Sequence, residues 1–64
     1  MKYSEMESID PGLKFTTLTG IMVETTGVTI SVESADIYVH EVVVRENPGE
    51  GNKYLHNLDS AKAV

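Results

Sequence analysis

Apolar and polar residues alternate along most of the chain with a period of two. Leu13 and Phe15 alternate with Lys14 and Thr16. Ile21 and Val23 alternate with Met22 and Glu24. Val28, Ile30 and Val32 alternate with Thr29, Ser31 and Glu33. Neighbouring side chains on a strand point to opposite faces, so each run reads as a strand with one face buried and one wet. The run from Val28 is the clearest, and its three aliphatic residues are expected in the core. Thr19-Gly20, Thr26-Gly27 and Glu33-Ser34-Ala35-Asp36 are expected to be the turns between runs.

Ile37 to Arg45 reads as the longest strand, and here the alternation fails. One face carries Ile37, Val39, Glu41 and Val43. The other carries Tyr38, His40, Val42 and Val44. A β-bulge near His40-Glu41 would shift the register and turn Ile37, Val39, Val42 and Val44 inward together. The alternative is a strand covered on both faces, one by the core and one by something else. The bulge is the preferred reading.

The ends are less regular. Ser4 with Glu7 three residues later has capping-box spacing, so a short helical turn is expected over Tyr3 to Ile9, ended by Pro11-Gly12. Glu46 to Asn52 holds two glycines and a proline and reads as a loop. Lys53 to Leu58 fits one helical turn or a short strand followed by a turn. Ala61 to Val64 fits a final short strand.

These elements predict an all-β fold, a single domain over residues 1–64. Its form is a small meander barrel or half-open roll of four to five short strands, with short helical turns near both termini. The stretch Ile9-Asp10-Pro11-Gly12-Leu13-Lys14-Phe15 resembles the entry of many Src-homology-3-like barrels. Asn57-Leu58-Asp59-Ser60-Ala61 is similar to the one-turn helix before their last strand. The resemblance implies a fold and a habit of binding, not an activity. The aromatic groove of proline-peptide-binding members is not evident, since there is no tryptophan and Tyr3, Tyr38 and Tyr54 are widely spaced. No functional residue is carried over.

Composition narrows the function. No apolar run approaches the ~20 residues of a membrane helix. The acidic N-terminus lacks the basic start and apolar middle of a signal peptide. With no cysteine, the chain reads as an intact cytoplasmic protein starting at its own methionine. Ten acids against five bases give a formal charge of −5, which repels a phosphate backbone at long range.

Candidate chemistry is sparse. The serines and histidines could supply a triad in letters, but no nucleophile-elbow sequence surrounds any serine. His40, Glu41, His56 and Asp59 are the only plausible metal ligands, and nothing in their spacing demands a metal. The Asn47–Gly51 stretch carries acid where a phosphate loop needs lysine. No enzyme activity, metal or cofactor is expected.

The leading expectation is a non-enzymatic protein-interaction or structural accessory module, self-associating or bound to a protein partner. It would bind through the strand 37–45 and the loop 46–52. The candidate contact residues are Tyr38, His40, Val42, Val44, Arg45, Lys53 and Tyr54. The alternative is a small nucleic-acid-binding barrel using Lys14, Arg45, Lys53 and Tyr54.

Overall fold

A computed structural model describes residues 2–64. The elements, in order, are a 3-10 turn Tyr3–Glu5, β1 Lys14–Thr16, β2 Met22–Val32, β3 Ile37–Val44, β4 Lys53–His56, a second 3-10 turn Leu58–Ser60 and β5 Lys62–Ala63. The strands form one antiparallel sheet in the order β4-β3-β2-β1-β5. The sheet does not close, so the half-open roll, not the closed barrel, is the form adopted. β4 and β5 are left as edges. Both are short, which limits unwanted strand pairing.

Phe15, Val23, Val42, Val44, Leu58 and Ile9 form the core, with Tyr3 and Ala61 packed against it. Tyr3 meets Phe15 edge to face at 5.1 Å between ring centroids. The core lies between the inner face of the sheet and the chain ends folded across it. At the N-terminus the expected Ser4–Glu7 capping box does not form. The cap lies two residues earlier, at Lys2, and its amide donates to the Glu5 carboxylate instead, over 3.3 Å.

Two expectations about register are corrected. Thr26-Gly27 is not a turn. β2 runs through it, and the irregularity in the β2–β3 ladder lies there, between Thr25↔Val42 and Thr29↔His40. Residues 26 to 28 therefore face Glu41 alone, so the bulge sits opposite the place expected for it, on the partner strand. Gly27 explains this, because its φ of +91° suits a glycine at a bulge and few other residues.

The second correction follows from the first. The inward row of β3 is His40, Val42 and Val44, with Tyr38 half-buried at its end, and not Ile37 and Val39 with Val42 and Val44. Beyond the bulge, Thr29 and Ser31 pair with His40 and Tyr38 and share their face. Val28 and Ile30, expected in the core, are 45% and 44% exposed. Alternation in this strand was real, but its apolar side faces out.

His40 explains how an imidazole holds an inward place. It is fully buried, and both ring nitrogens are used. Nε2 lies 3.0 Å from the Tyr3 carbonyl oxygen and Nδ1 2.8 Å from the Thr29 hydroxyl. A polar residue can replace an aliphatic one at a core position only when its hydrogen bonds are made.

Candidate functional site

Cross-strand pairing fixes what lies on the outer face. One row runs Lys14–Glu24–Val43–Lys53 across β1, β2, β3 and β4. Directly opposed residues share a face, so all four side chains project outward. Arg45, two residues beyond Val43, joins them. Towards the β2–β3 turn the same face carries Ile30 opposite Val39 and Val32 opposite Ile37. Leu55, opposite Glu41, stands diagonally beside Val39.

The face therefore has two unlike ends. The turn end is aliphatic, with Ile30 at 44% exposure and Leu55 at 48%, and with Val32, Ile37 and Val39 half-buried. Among the described residues no strand or turn has its main contacts there; the N-terminal turn packs with β3 from the inner side, where Tyr3 meets His40. A single exposed aliphatic residue is ordinary, whereas a contiguous set marks a surface that something else covers.

The other end is a groove. Val43 is its floor, only 6% exposed although it lies outside the main core cluster. The stems of Glu24, Arg45 and Lys53 stand around it, as long charged side chains do over apolar surface. Arg45 contacts Glu24 at 3.5 Å. The Pro11-Gly12 turn forms one rim and Gly51, from the 46–52 loop, part of the other. Between the two ends, the Thr26 hydroxyl donates to the Glu41 carboxylate over 2.7 Å.

The rim is held by the strand beneath it. A Cβ on Gly27 would stand 3.4 Å from the Pro11 Cβ, so the turn lies at contact distance above the bulge. The 46–52 loop is tied at its base by Gly51 N–H to the Val44 carbonyl and by Val44 N–H to the Asn52 carbonyl, both 2.8 Å. Its Glu46 carboxylate accepts from the Met22 amide at 2.6 Å. The Asn47-Pro48 bond within it is cis.

The expected contact residues do not form one surface. His40, Val42 and Val44 are in the core, and Tyr38 points the same way. Their side chains cannot meet a partner while the inner face is packed, because the core uses them. Arg45 and Lys53 do come together, at the groove. Tyr54 pairs with Val42 and so faces away from Lys53, stacking at a tilt against His56 at 5.7 Å. The basic-aromatic group of Lys14, Arg45, Lys53 and Tyr54 is thus split between two faces.

The sequence reading missed Ile30, Val39, Leu55 and the Pro11 rim. One signal could have found them: an isolated glycine within a strand pattern marks a bulge or a close backbone approach. Read so, Gly27 joins two runs into one strand and sends Ile30 outward.

His40 and His56 are direct cross-strand neighbours, but each is occupied locally, His56 donating through Nδ1 to the Asn57 carbonyl at 2.9 Å. Among the described residues no three metal-ligating side chains converge. No helix among them is long and apolar enough to cross a membrane. Comparison with protein-family models, curated proteins and solved structures finds no significant match.

Proposed function

We propose that this chain is a non-enzymatic protein-interaction module that docks a partner on the outer face of β2, β3 and β4. One observation carries the reading. The strand with the clearest alternation turns its aliphatic side outward, and Ile30, Val39 and Leu55 form an uncovered patch there. The strand 37–45 contributes through Ile37, Val39 and Val43, and the loop 46–52 through the groove rim. The contact residues in this reading are Ile30, Val39, Val43, Arg45, Lys53 and Leu55.

The polar chemistry present is structural rather than catalytic in this reading: the buried His40 and Thr25 spend their hydrogen bonds on the chain itself. A cytoplasmic setting belongs to the same proposal and rests on the cysteine-free sequence. So does the likeness to Src-homology-3-like barrels, with which the strand order is compatible without being specific to it.

The test is a random dodecapeptide display library panned on the full chain, with enriched peptides titrated by calorimetry. Ile30→Lys should change stability by no more than about 0.5 kcal/mol, because the site is on the surface. It should abolish binding of the enriched peptides. Failure to enrich any peptide, or binding indifferent to Ile30→Lys, overturns the proposal.

A further inference from the structure

We infer that the groove over Val43 receives the carboxylate of an aspartate or glutamate side chain on an extended partner segment. This rests on the docking face proposed above and names the chemistry of its occupant. The groove is a concavity of about 640 Å³, within the roughly 300–1,000 Å³ typical of ligand sites. Its charged lining is Glu24, Arg45 and Lys53, a net +1 in a chain of net −5.

The two cations are differently disposed, and both have capacity to spare. Arg45 touches Glu24 through one nitrogen, Nη2, at 3.5 Å, and its side chain remains 46% exposed. A guanidinium carries five N–H donors, so the edge turned from Glu24 is open to a second carboxylate. Arg45–Glu24 is the only ion pair among the described residues, which leaves Lys53 without an anion. Lys53 stands opposite Val43 and lines the groove beside the apolar floor. The Glu24 contact also limits the wandering of the Arg45 side chain before anything binds.

The same charges argue against a polyanion. Glu24, Glu41 and Glu46 bond groups of the same region, three acids against Lys14, Arg45 and Lys53, so a phosphate backbone crossing this face would meet as many acids as bases. A single carboxylate on the edge of Arg45 turned from Glu24, with Lys53 on its other side, meets two cations against one acid.

The face also sets a spacing. Val43 and Val39 are four residues apart on β3, about 13 Å at roughly 3.3 Å per residue. A segment lying along β3 would place its acid about four residues from an aliphatic anchor seated on Val39 and Ile30. The order of the two depends on the direction of the segment.

The probe is the dodecapeptide library panned on the full chain, then the enriched peptides made synthetically with each acid also changed to its amide. Enriched peptides should share an Asp or Glu about four residues from Ile, Leu or Val. Changing that acid to the amide should weaken binding about tenfold. Lys53→Gln and Arg45→Gln should each weaken the acidic peptide several-fold and the amide peptide hardly at all. A rise from 50 to 500 mM sodium chloride should act like those substitutions.

Peptides that need Ile30 but carry no acid, or that bind Lys53→Gln and Arg45→Gln as well as the parent, overturn the carboxylate site and leave the docking face standing. Enriched peptides that all bind Ile30→Lys as well as the parent overturn the docking face itself. Tight binding of a fifteen-residue oligothymidylate at low salt, lost in Lys53→Gln, overturns the peptide in favour of nucleic acid. Circular dichroism of each variant shows whether the fold is kept. Lys53 is exposed and forms no ion pair among the described residues, so its variant stays informative even if Arg45→Gln proves unstable.

Discussion

Thr25 and Leu13 are hydrogen-bonded twice: the Thr25 amide donates to the Leu13 carbonyl over 2.8 Å, and the Leu13 amide donates to the Thr25 hydroxyl over 2.9 Å. The same hydroxyl donates to the Asp10 carbonyl at 2.7 Å. A tight turn over Asp10-Pro11-Gly12-Leu13 would ordinarily be closed by the amide of its fourth residue bonding the carbonyl of its first. Here a side-chain hydroxyl stands between those groups and serves both. The turn that rims the groove is thereby fastened to β2.

Thr25→Val keeps the shape and deletes that bridge. Thr25 is 2% exposed, so the Asp10 carbonyl and Leu13 amide lose their partner close to the core. The expected cost is about 1–3 kcal/mol for each group left without its partner. Thr25→Ser keeps the hydroxyl and loses one methyl, at about 1 kcal/mol. Urea denaturation of the three proteins checks the order. Against a total stability on the order of 3–10 kcal/mol, the valine loss is a large fraction.

His40→Phe conserves bulk and removes both ring nitrogens from a fully buried site. Nε2 must donate to Tyr3, because a carbonyl oxygen only accepts, and Thr29 pairs with Nδ1. The substitution leaves the Thr29 hydroxyl without its partner, at about 1–3 kcal/mol, and takes one of two donors from the Tyr3 carbonyl, which keeps the Met6 amide. Because His40 ties the Tyr3 carbonyl to the sheet, part of the effect should fall at the N-terminus. Hydrogen exchange should speed up at the Glu5 and Met6 amides, which bond the Lys2 and Tyr3 carbonyls. A uniform acceleration across β2 and β3 would instead mean that His40 acts through the core alone.

Much of the fold was legible in the pattern of the chain, and its failures have one source. Strand β3, the loop after it and the turn at residues 33–36 all follow from local signals. Alternation, however, reports that two faces differ and not which way either one points. Near Val28 the pattern alone points the aliphatic face inward, because burial is the usual fate of such residues. What decides otherwise is non-local: His40 takes the inward place with help from Tyr3, thirty-seven residues away in sequence. The groove was half legible. Arg45 and Lys53 could be named from their neighbourhood, but Pro11 and Glu24 reach them only through strand pairing.

Gly27→Ala tests the bulge. The backbone φ there is +91°, and a new methyl would lie 3.4 Å from Pro11, at ordinary contact distance. Gly20 has φ +84° with nothing within 4 Å of a Cβ, so Gly20→Ala carries the backbone cost alone. Each strained backbone should cost about 1–3 kcal/mol. Because the new methyl meets Pro11 at ordinary contact distance, the two substitutions should cost about the same. A denaturation midpoint for Gly27→Ala well below that of Gly20→Ala would show that the Pro11 turn is pressed against the bulge.

Asp59 links the two 3-10 turns and gives the contact a pH dependence. Its carboxylate lies against Ser4, whose amide donates to Oδ1 at 3.2 Å. The Ser4 side chain, then the Ser4 and Tyr3 amides and the Lys2 charge hold its pKa below the ordinary 3.8, against an opposing effect of burial. A group whose folded pKa is depressed binds its proton more readily when unfolded, so stability rises with pH through that interval. Its contribution is fully present above the unfolded value, near 3.8, and is lost as pH falls through the lower folded value. Asp59→Asn should therefore be less stable than the parent at neutral pH, with the difference closing below about pH 4. The loss should be small, since the carboxylate is solvated. Thermal melts of both proteins from pH 7 down to pH 2.5 give the two curves; parallel curves with a constant gap would mean that Asp59 holds Ser4 by shape and not by charge.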